Sequence, residues 1–251
     1  MSALYDTIGR SYGVTRGEDP RLRERIHAAL GDARTVLNVG AGTGSYEPRD
    51  RAVLAVEPSA VMRAQRAPDA APAIDASADA LPFADASFDA TMAVLTDHHW
   101  LDRAAGLREM RRVARKRAVL FTFDPAFIDA FWLTRDYLPG FRALPGMTID
   151  EIAGHFGPTR IEPVPIAHDW QDGFLFAFWR RPEAYLDPVV RANISVFSRL
   201  DEAEVANCVR RLRADLDSGA WARRNRDLLA AEELDGGYRL LVAACADAHS
   251  A

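Results

Sequence analysis

Gly40, Gly42 and Gly44 stand at alternate positions in the run Val36-Leu37-Asn38-Val39-Gly40-Ala41-Gly42-Thr43-Gly44. Glycine there lets a chain leaving a buried strand turn sharply, with no Cβ between its backbone and a ligand. A second apolar run, Val53-Leu54-Ala55-Val56, ends at Glu57, seventeen positions after Gly40. Strand, glycine turn, helix, strand and acid is the order in which a carboxylate comes to hold the ribose hydroxyls of an adenosine. A dinucleotide loop would want its third glycine where Ser45 stands, and no G-x-x-x-x-G-K-[ST] sequence for a nucleoside triphosphate occurs. A second chemical group lies in Val94-Leu95-Thr96-Asp97-His98-His99-Trp100. An imidazole with an unperturbed pKa near about 6.5 can take a proton from a hydroxyl or ammonium group. Neighbours in extended backbone point oppositely, which leaves the choice between His98 and His99 open.

Strand signals that could position these groups recur at Val36–Val39, Val53–Val56, Ala73–Ile74, Phe88–Leu95 and Ala118–Phe123, with helical patterns between the clearest of them. Leu107, Met110 and Val113 share one helical face ahead of the fifth strand. The alternation predicts a doubly wound α/β sheet of parallel strands with right-handed crossovers. Beyond Asp124-Pro125 the rhythm changes. Ile161–Ile166 reads as a sixth strand, and Tyr238–Ala243 as another after the Gly236-Gly237 turn. Glu204–Leu216 reads as a helix with Val205, Val209, Leu212 and Leu216 on its apolar face and Gly219 as its stop. Aromatic residues crowd 125–147 and 167–235, and the pairs Phe127/Phe131 and Phe174/Phe178 have helix-face spacing. Both segments are expected to cap the carboxyl ends of the strands and to enclose an apolar pocket. His168-Asp169 offers a second place for a base or a polar anchor, with a loop cap as the simpler role.

The chain of 251 residues has 49% hydrophobic residues, enough for one α/β domain with an elaboration. Its net charge of −5 gives no general attraction to nucleic acid. Cys208 and Cys245 are solitary, so neither a disulfide framework nor a metal site is expected. No leader and no membrane-length apolar stretch is read from the sequence, and the expected location is the cytoplasm.

Gly40-Ala41-Gly42-Thr43-Gly44 resembles motif I of the class I methyltransferases that use S-adenosyl-L-methionine, and Glu57-Pro58-Ser59 resembles their second motif. Ala80-Leu81-Pro82-Phe83-Ala84-Asp85-Ala86-Ser87-Phe88-Asp89 is similar to the A-L-P-F-x-D-x-S-F-D signature of the type-11 group. The resemblance runs from Tyr5 to Phe123. It implies a Rossmann-like seven-stranded sheet whose last strand is antiparallel beside the fifth, in a single domain. An N-terminal flap would occupy 1–30, the cofactor core 31–124, cap insertions 125–147 and 167–235, and the final strand with the C-terminus 236–251. Two positions depart from the family pattern: Asn38 stands where an acid is usual, and Ser77 where an adenine-binding Asp is usual.

The resemblance implies cofactor contacts from Gly40, Ala41, Gly42, Gly44, Glu57 and Pro58, with Ser77, Ala78 and Leu81 at the adenine. Leu95 and Thr96 would lie along the methionine arm, Tyr12 in the flap would face the sulfonium, and Arg16 would meet the methionine carboxylate. No Asn- or Asp-Pro-Pro-aromatic motif follows the fourth strand, which weighs against nucleic-acid bases as acceptors. The expected reaction is methyl transfer to a small, partly apolar molecule, at oxygen before nitrogen or carbon. His98 or His99 would be the base, no metal and no membrane would take part, and the protein would be a monomer or homodimer. Two rival readings stay open: a cofactor-binding regulator or scaffold, and an enzyme that uses the sulfonium charge for a decarboxylation or rearrangement.

Overall fold

The computed structural model describes residues 16–144 and 146–245. Runs of aliphatic residues long enough for one strand, each broken by a turn or helix, give strands β1 (Thr35–Val39), β2 (Ala52–Val56), β3 (Ala73–Ile74), β4 (Phe88–Val94) and β5 (Ala114–Phe123). Strands β1 to β5 are parallel, and the sheet of seven reads β3-β2-β1-β4-β5-β9-β6. Strand β9 (Tyr238–Ala244) lies antiparallel to β5, with Leu120 opposite Leu241, and also to the edge strand β6 (Thr159–Pro163). This is the expected Rossmann-like topology. The sheet order turns back between β1 and β4, the place where open α/β sheets bind ligands.

Alternate residues of each strand feed two cores, one on each face. On one face Leu37, Val39, Leu120 and Leu241 meet Leu107, Met110 and Val113 of helix α3 (Arg103–Val113) and Ile152 and Phe156 of α5 (Ile149–Phe156). On the other, Val36, Met92, Val119 and Leu240 meet Leu22, Ile26 and Leu30 of α1 (Pro20–Leu30). Helix α1, begun by the Asp19 cap and Pro20, is thus core and not part of a flap. Of the proposed N-terminal flap, residues 1–15, including Tyr12, lie outside the described residues.

The expected sixth strand is divided. The Val164 amide between Pro163 and Pro165 still donates to the Tyr238 carbonyl at 2.9 Å, and beyond it the chain leaves the sheet. Thr159–Pro163 joins the main sheet, while β7 (Ile166–Ala167) leaves it to pair with β8 (Glu233–Leu234). The helix expected at Glu204–Leu216 is α7 (Glu202–Asp217), begun by Asp201, and its buried seam is Cys208 and Leu212, with Val209 only half-buried. The aromatic pairs do not lie on α-helical faces. Phe127 ends a 3-10 turn and Phe131 precedes the short α4 (Trp132–Asp136), while 174–179 is a series of turns. Their burial comes from packing between the two segments: Trp132 Nε1 donates to the Trp179 carbonyl at 2.8 Å, and the Phe131 and Phe176 rings lie 4.6 Å apart. No described helix is long and apolar enough to cross a membrane.

Candidate active site

Backbone amides of Gly40 and Ala41 both donate to the Val56 carbonyl, at 2.8 and 3.0 Å, and so pin the glycine loop to the end of β2. Gly40, Gly42 and Gly44 all have positive φ, of 70°, 53° and 98°. Gly40 tolerates nothing larger: a Cβ there would sit 2.3 Å from Thr96 Oγ1. Glu57, at the end of β2, is buried, and its two carboxylate oxygens accept from the Gly42 and Ser59 amides at 2.8 Å each. Burial raises the Glu57 carboxyl above its ordinary value, against the opposing pull of those two amides, Arg63 and Arg66. Each oxygen keeps a lone pair that a hydroxyl can use.

These residues line a cleft of about 440 Å³, within the usual range for a small-molecule site. Gly40, Ala41, Gly42, Glu57, Pro58, Ser77, Ala78, Leu95, Thr96 and Arg16 are all on its wall. Two expected contacts are not. Gly44 is not on this wall, and its Cβ position faces Glu47 and Arg66. Leu81 is buried in the core, its amide held at 2.9 Å by Glu109. The Ser77 hydroxyl is engaged by Asp79.

Asn38 has a local reason. Its amide donates at 3.0 Å to Glu47, which is paired with Arg66 at 2.8 Å, both of them buried. An aspartate at 38 would face the Glu47 carboxylate, and the amide avoids that like-charge contact. Sequence reasoning also missed Met62, Trp100 and Leu101 on the cleft wall. Leu101 is 79% exposed, so the cleft offers a bare apolar face. A ribose acceptor, bare glycine backbone and apolar walls fit the S-adenosylmethionine that the motifs imply.

A second cavity, of about 130 Å³, lies against the first. Its floor is made by Leu95, Thr122, Phe123 and Tyr238 at one edge of the sheet, and its roof by residues of both aromatic segments, among them Ile128, Phe141, Phe174 and Val196. Arg16, Leu95 and His99 line both cavities. Leu95 is in the left-handed region, φ 49°, a conformation that branched residues adopt at a cost of about 1–3 kcal/mol. Its amide is fixed to the Phe121 carbonyl at 2.8 Å, so the chain turns abruptly off β4 and carries Thr96 to His99 along the junction.

The two imidazoles differ. Their rings are 4.0 Å apart, but His98 lines only the capped cavity, and its Nδ1 stands 3.8 Å from Asp97. Asp97 is fully buried. Despite that burial, His98, Arg103 and the Thr122 hydroxyl hold its carboxyl at about 2, a fixed anion behind the loop. Burial, followed by the field of His98, keeps the His99 imidazole well below the ordinary histidine value, hence neutral at physiological pH. His168 and Asp169 lie outside both cavities, turned to Glu232 and Arg21. Asp102 caps α3, and no group of three metal-ligating side chains is found among the described residues. Arg16 meets Asp172 at 2.5 Å, and Asp172 also accepts from the buried Tyr46 hydroxyl at 2.9 Å, which ties Arg16 and the glycine loop to the second aromatic segment.

The profile of the type-11 group, described as a methyltransferase domain, matches residues 37–122. A solved protein of Anabaena variabilis, described as a methyltransferase from an antibiotic biosynthesis pathway, is 33% identical over 91% of this chain and 98% of its own, with a TM-score of 0.83. Two more distant structures share the fold. One is the [4+2]-cyclase SpnF, 16% identical over 96% of this chain and 93% of its own, TM-score 0.56. The other is a Thermotoga maritima protein described as an S-adenosylmethionine-dependent methyltransferase, 14% identical over 96% and 93%, TM-score 0.53. No protein of curated function matches in sequence. The Anabaena likeness runs nearly end to end, and with the profile match it makes this chain a member of the type-11 family of class I methyltransferases, with S-adenosylmethionine as its cofactor.

Proposed function

We propose that the protein moves the methyl group to a small, partly apolar acceptor held in the cavity under the segments 125–147 and 167–235, which act as caps. The observation that carries this reading is the shared wall. Arg16, Leu95 and His99 belong to the cleft and to the capped cavity at once, so a donor in one and an acceptor in the other meet there. When bound, the cofactor supplies an electrophilic methyl on a cationic sulfur. The chain supplies placement, which can lower a barrier by roughly 7–11 kcal/mol, and exclusion of water by the caps. A neutral His99 accepts the proton that a hydroxyl acceptor releases, which favours oxygen over nitrogen and carbon. The Anabaena relative's described place in antibiotic biosynthesis supports a small-molecule acceptor. The free thiols of Cys208 and Cys245 suit a reducing compartment such as the cytoplasm.

Methyl-labelled S-adenosylmethionine, incubated with the protein and a fractionated metabolite extract, is expected to label small apolar products. Label confined to macromolecules, or cofactor binding without transfer to any fraction, would contradict the reading.

Glu57 would hold the ribose hydroxyls. Glu57→Ala is expected to weaken S-adenosylhomocysteine about 10- to 100-fold, because charge-assisted hydrogen bonds contribute about 1.5–3 kcal/mol. Hydroxyl donors favour the carboxylate, so affinity is present above the Glu57 pKa and lost as pH falls through it. Since burial raises that pKa, the loss begins above the ordinary 4.5. Calorimetric titrations across pH check both; unchanged affinity in Glu57→Ala would remove Glu57 from the ribose.

A further inference from the structure

We propose that the acceptor is an organic anion, an apolar body bearing a carboxylate that docks on Arg199; this rests on reading the capped cavity as the acceptor site. The protein as a whole is acidic, with 36 Asp and Glu against 31 Lys and Arg. The wall of this cavity is the reverse. Arg16, Arg103, Arg199, His98 and His99 line it, and among the described residues no Asp or Glu does.

Two of the three guanidiniums are matched from behind the wall. Arg16 is paired with Asp172 and Arg103 with Asp97, both acids being buried. Arg199 is different. It follows the 3-10 turn Ser195–Ser198, is exposed at the edge of the cavity, and its guanidinium makes no hydrogen bond or ion pair with any described residue. One uncompensated positive charge therefore stands in a wall that also carries the apolar Phe123, Ile128, Phe141, Leu144 and Phe174. Its field reaches the reaction junction, where Arg199 and Arg16 add to the burial and the His98 field that disfavour a charged His99.

Exposed at the edge of an apolar cavity, the guanidinium is partly screened by water, yet it still sets the sign of the charge that the cavity favours. Its planar fork matches a carboxylate with two parallel hydrogen bonds. A protonated amine would instead meet Arg199 on one side and the cofactor's sulfonium on the other. The same residue thus attracts one class of acceptor and repels another, which is how specificity is commonly built.

The test titrates protein loaded with S-adenosylhomocysteine, by calorimetry, with size-matched triplets: benzoate, benzamide and benzylamine, and their 2-naphthyl counterparts. Carboxylates are expected to bind at least about tenfold more tightly than the amides, with the amines weakest. The Arg199 guanidinium has no hydrogen bond or ion pair with a described residue to lose, so Arg199→Gln should fold normally, keep its S-adenosylhomocysteine affinity and lose the carboxylate preference. Arg199→Glu should turn the preference toward the amines. Equal binding of carboxylate and amide, a preference that survives Arg199→Gln, or no binding of any probe to the loaded protein overturns the proposal. Labelled-methyl assays separate it from the reading beneath it. Transfer to uncharged acceptors alone would overturn the anion claim and leave the pocket. Carboxylate preference with no transfer to any anion of a metabolite extract would remove the pocket as acceptor site and leave Arg199 as an anion anchor.

Discussion

Gly40→Ala is expected to abolish methyl transfer and to cost the fold about 2–5 kcal/mol, the sum of left-handed strain and an overpacked contact. The position has φ 70°, and the new methyl group would lie 2.3 Å from Thr96 Oγ1 and 2.9 Å from Thr96 Cγ2. Neither partner can yield. Gly40 and Ala41 are both fixed to Val56, and Thr96 follows the strained Leu95 at the end of β4. Relief through the loop would move the backbone beside Glu57, and a displacement of about 1 Å near the reacting atoms can reduce rate about 10²-fold. Denaturant melts and S-adenosylhomocysteine titration check the two halves. Adding Thr96→Ala should return part of the lost stability, since it removes the closest atoms, while the φ strain persists. A Gly40→Ala protein as stable and as tightly binding as the wild type would show that the loop is not held as described.

His99→Gln is expected to lower kcat about 10²- to 10³-fold and to leave S-adenosylhomocysteine affinity within about twofold, in line with general-base assistance. His98→Gln should have the smaller effect, because His98 reaches only the capped cavity. The pH profile carries a separate signature. A base must be neutral to act, so activity present above the His99 pKa is lost as pH falls through it. That pKa lies well below the ordinary 6.5, and the acidic limb of kcat is therefore displaced to lower pH. The limb should vanish in His99→Gln, whereas loss of cofactor affinity on acidification should persist, because it belongs to Glu57. A wild-type rate in His99→Gln would leave placement as the whole of catalysis.

The parts of the site that could be read from the sequence are those built by neighbours in the chain. Gly40 to Gly44, Glu57-Pro58 and Leu95 to His99 each lie within one strand-to-loop turn, and each turn faces the same edge of the sheet once the strands are parallel. The parallel strands were legible for a like reason: five apolar runs separated by turns or helical patterns. The capped segments were not. Their aromatic spacing imitates helix faces, yet Phe131, Phe176 and Trp132 are buried by contacts between residues 45 and 47 positions apart, and the strand that hydropathy alone makes continuous leaves the sheet after Val164. Leu81 carries a family signature but is buried in the core with its amide donated to Glu109, and Gly44 lies off the cleft wall beside Glu47 and Arg66. Arg103, Arg199 and Tyr238 come to one cavity from a helix, the residue after a 3-10 turn and the last strand, and no local spacing announces such a meeting.

The most direct test of the account is a crystal structure with S-adenosylhomocysteine and an aromatic carboxylate bound together. Expected are ribose hydroxyls on Glu57, the sulfur directed past Leu95 toward His99, and the carboxylate under the caps. A sulfur directed away from His99, or an acceptor seated outside the capped cavity, would contradict it.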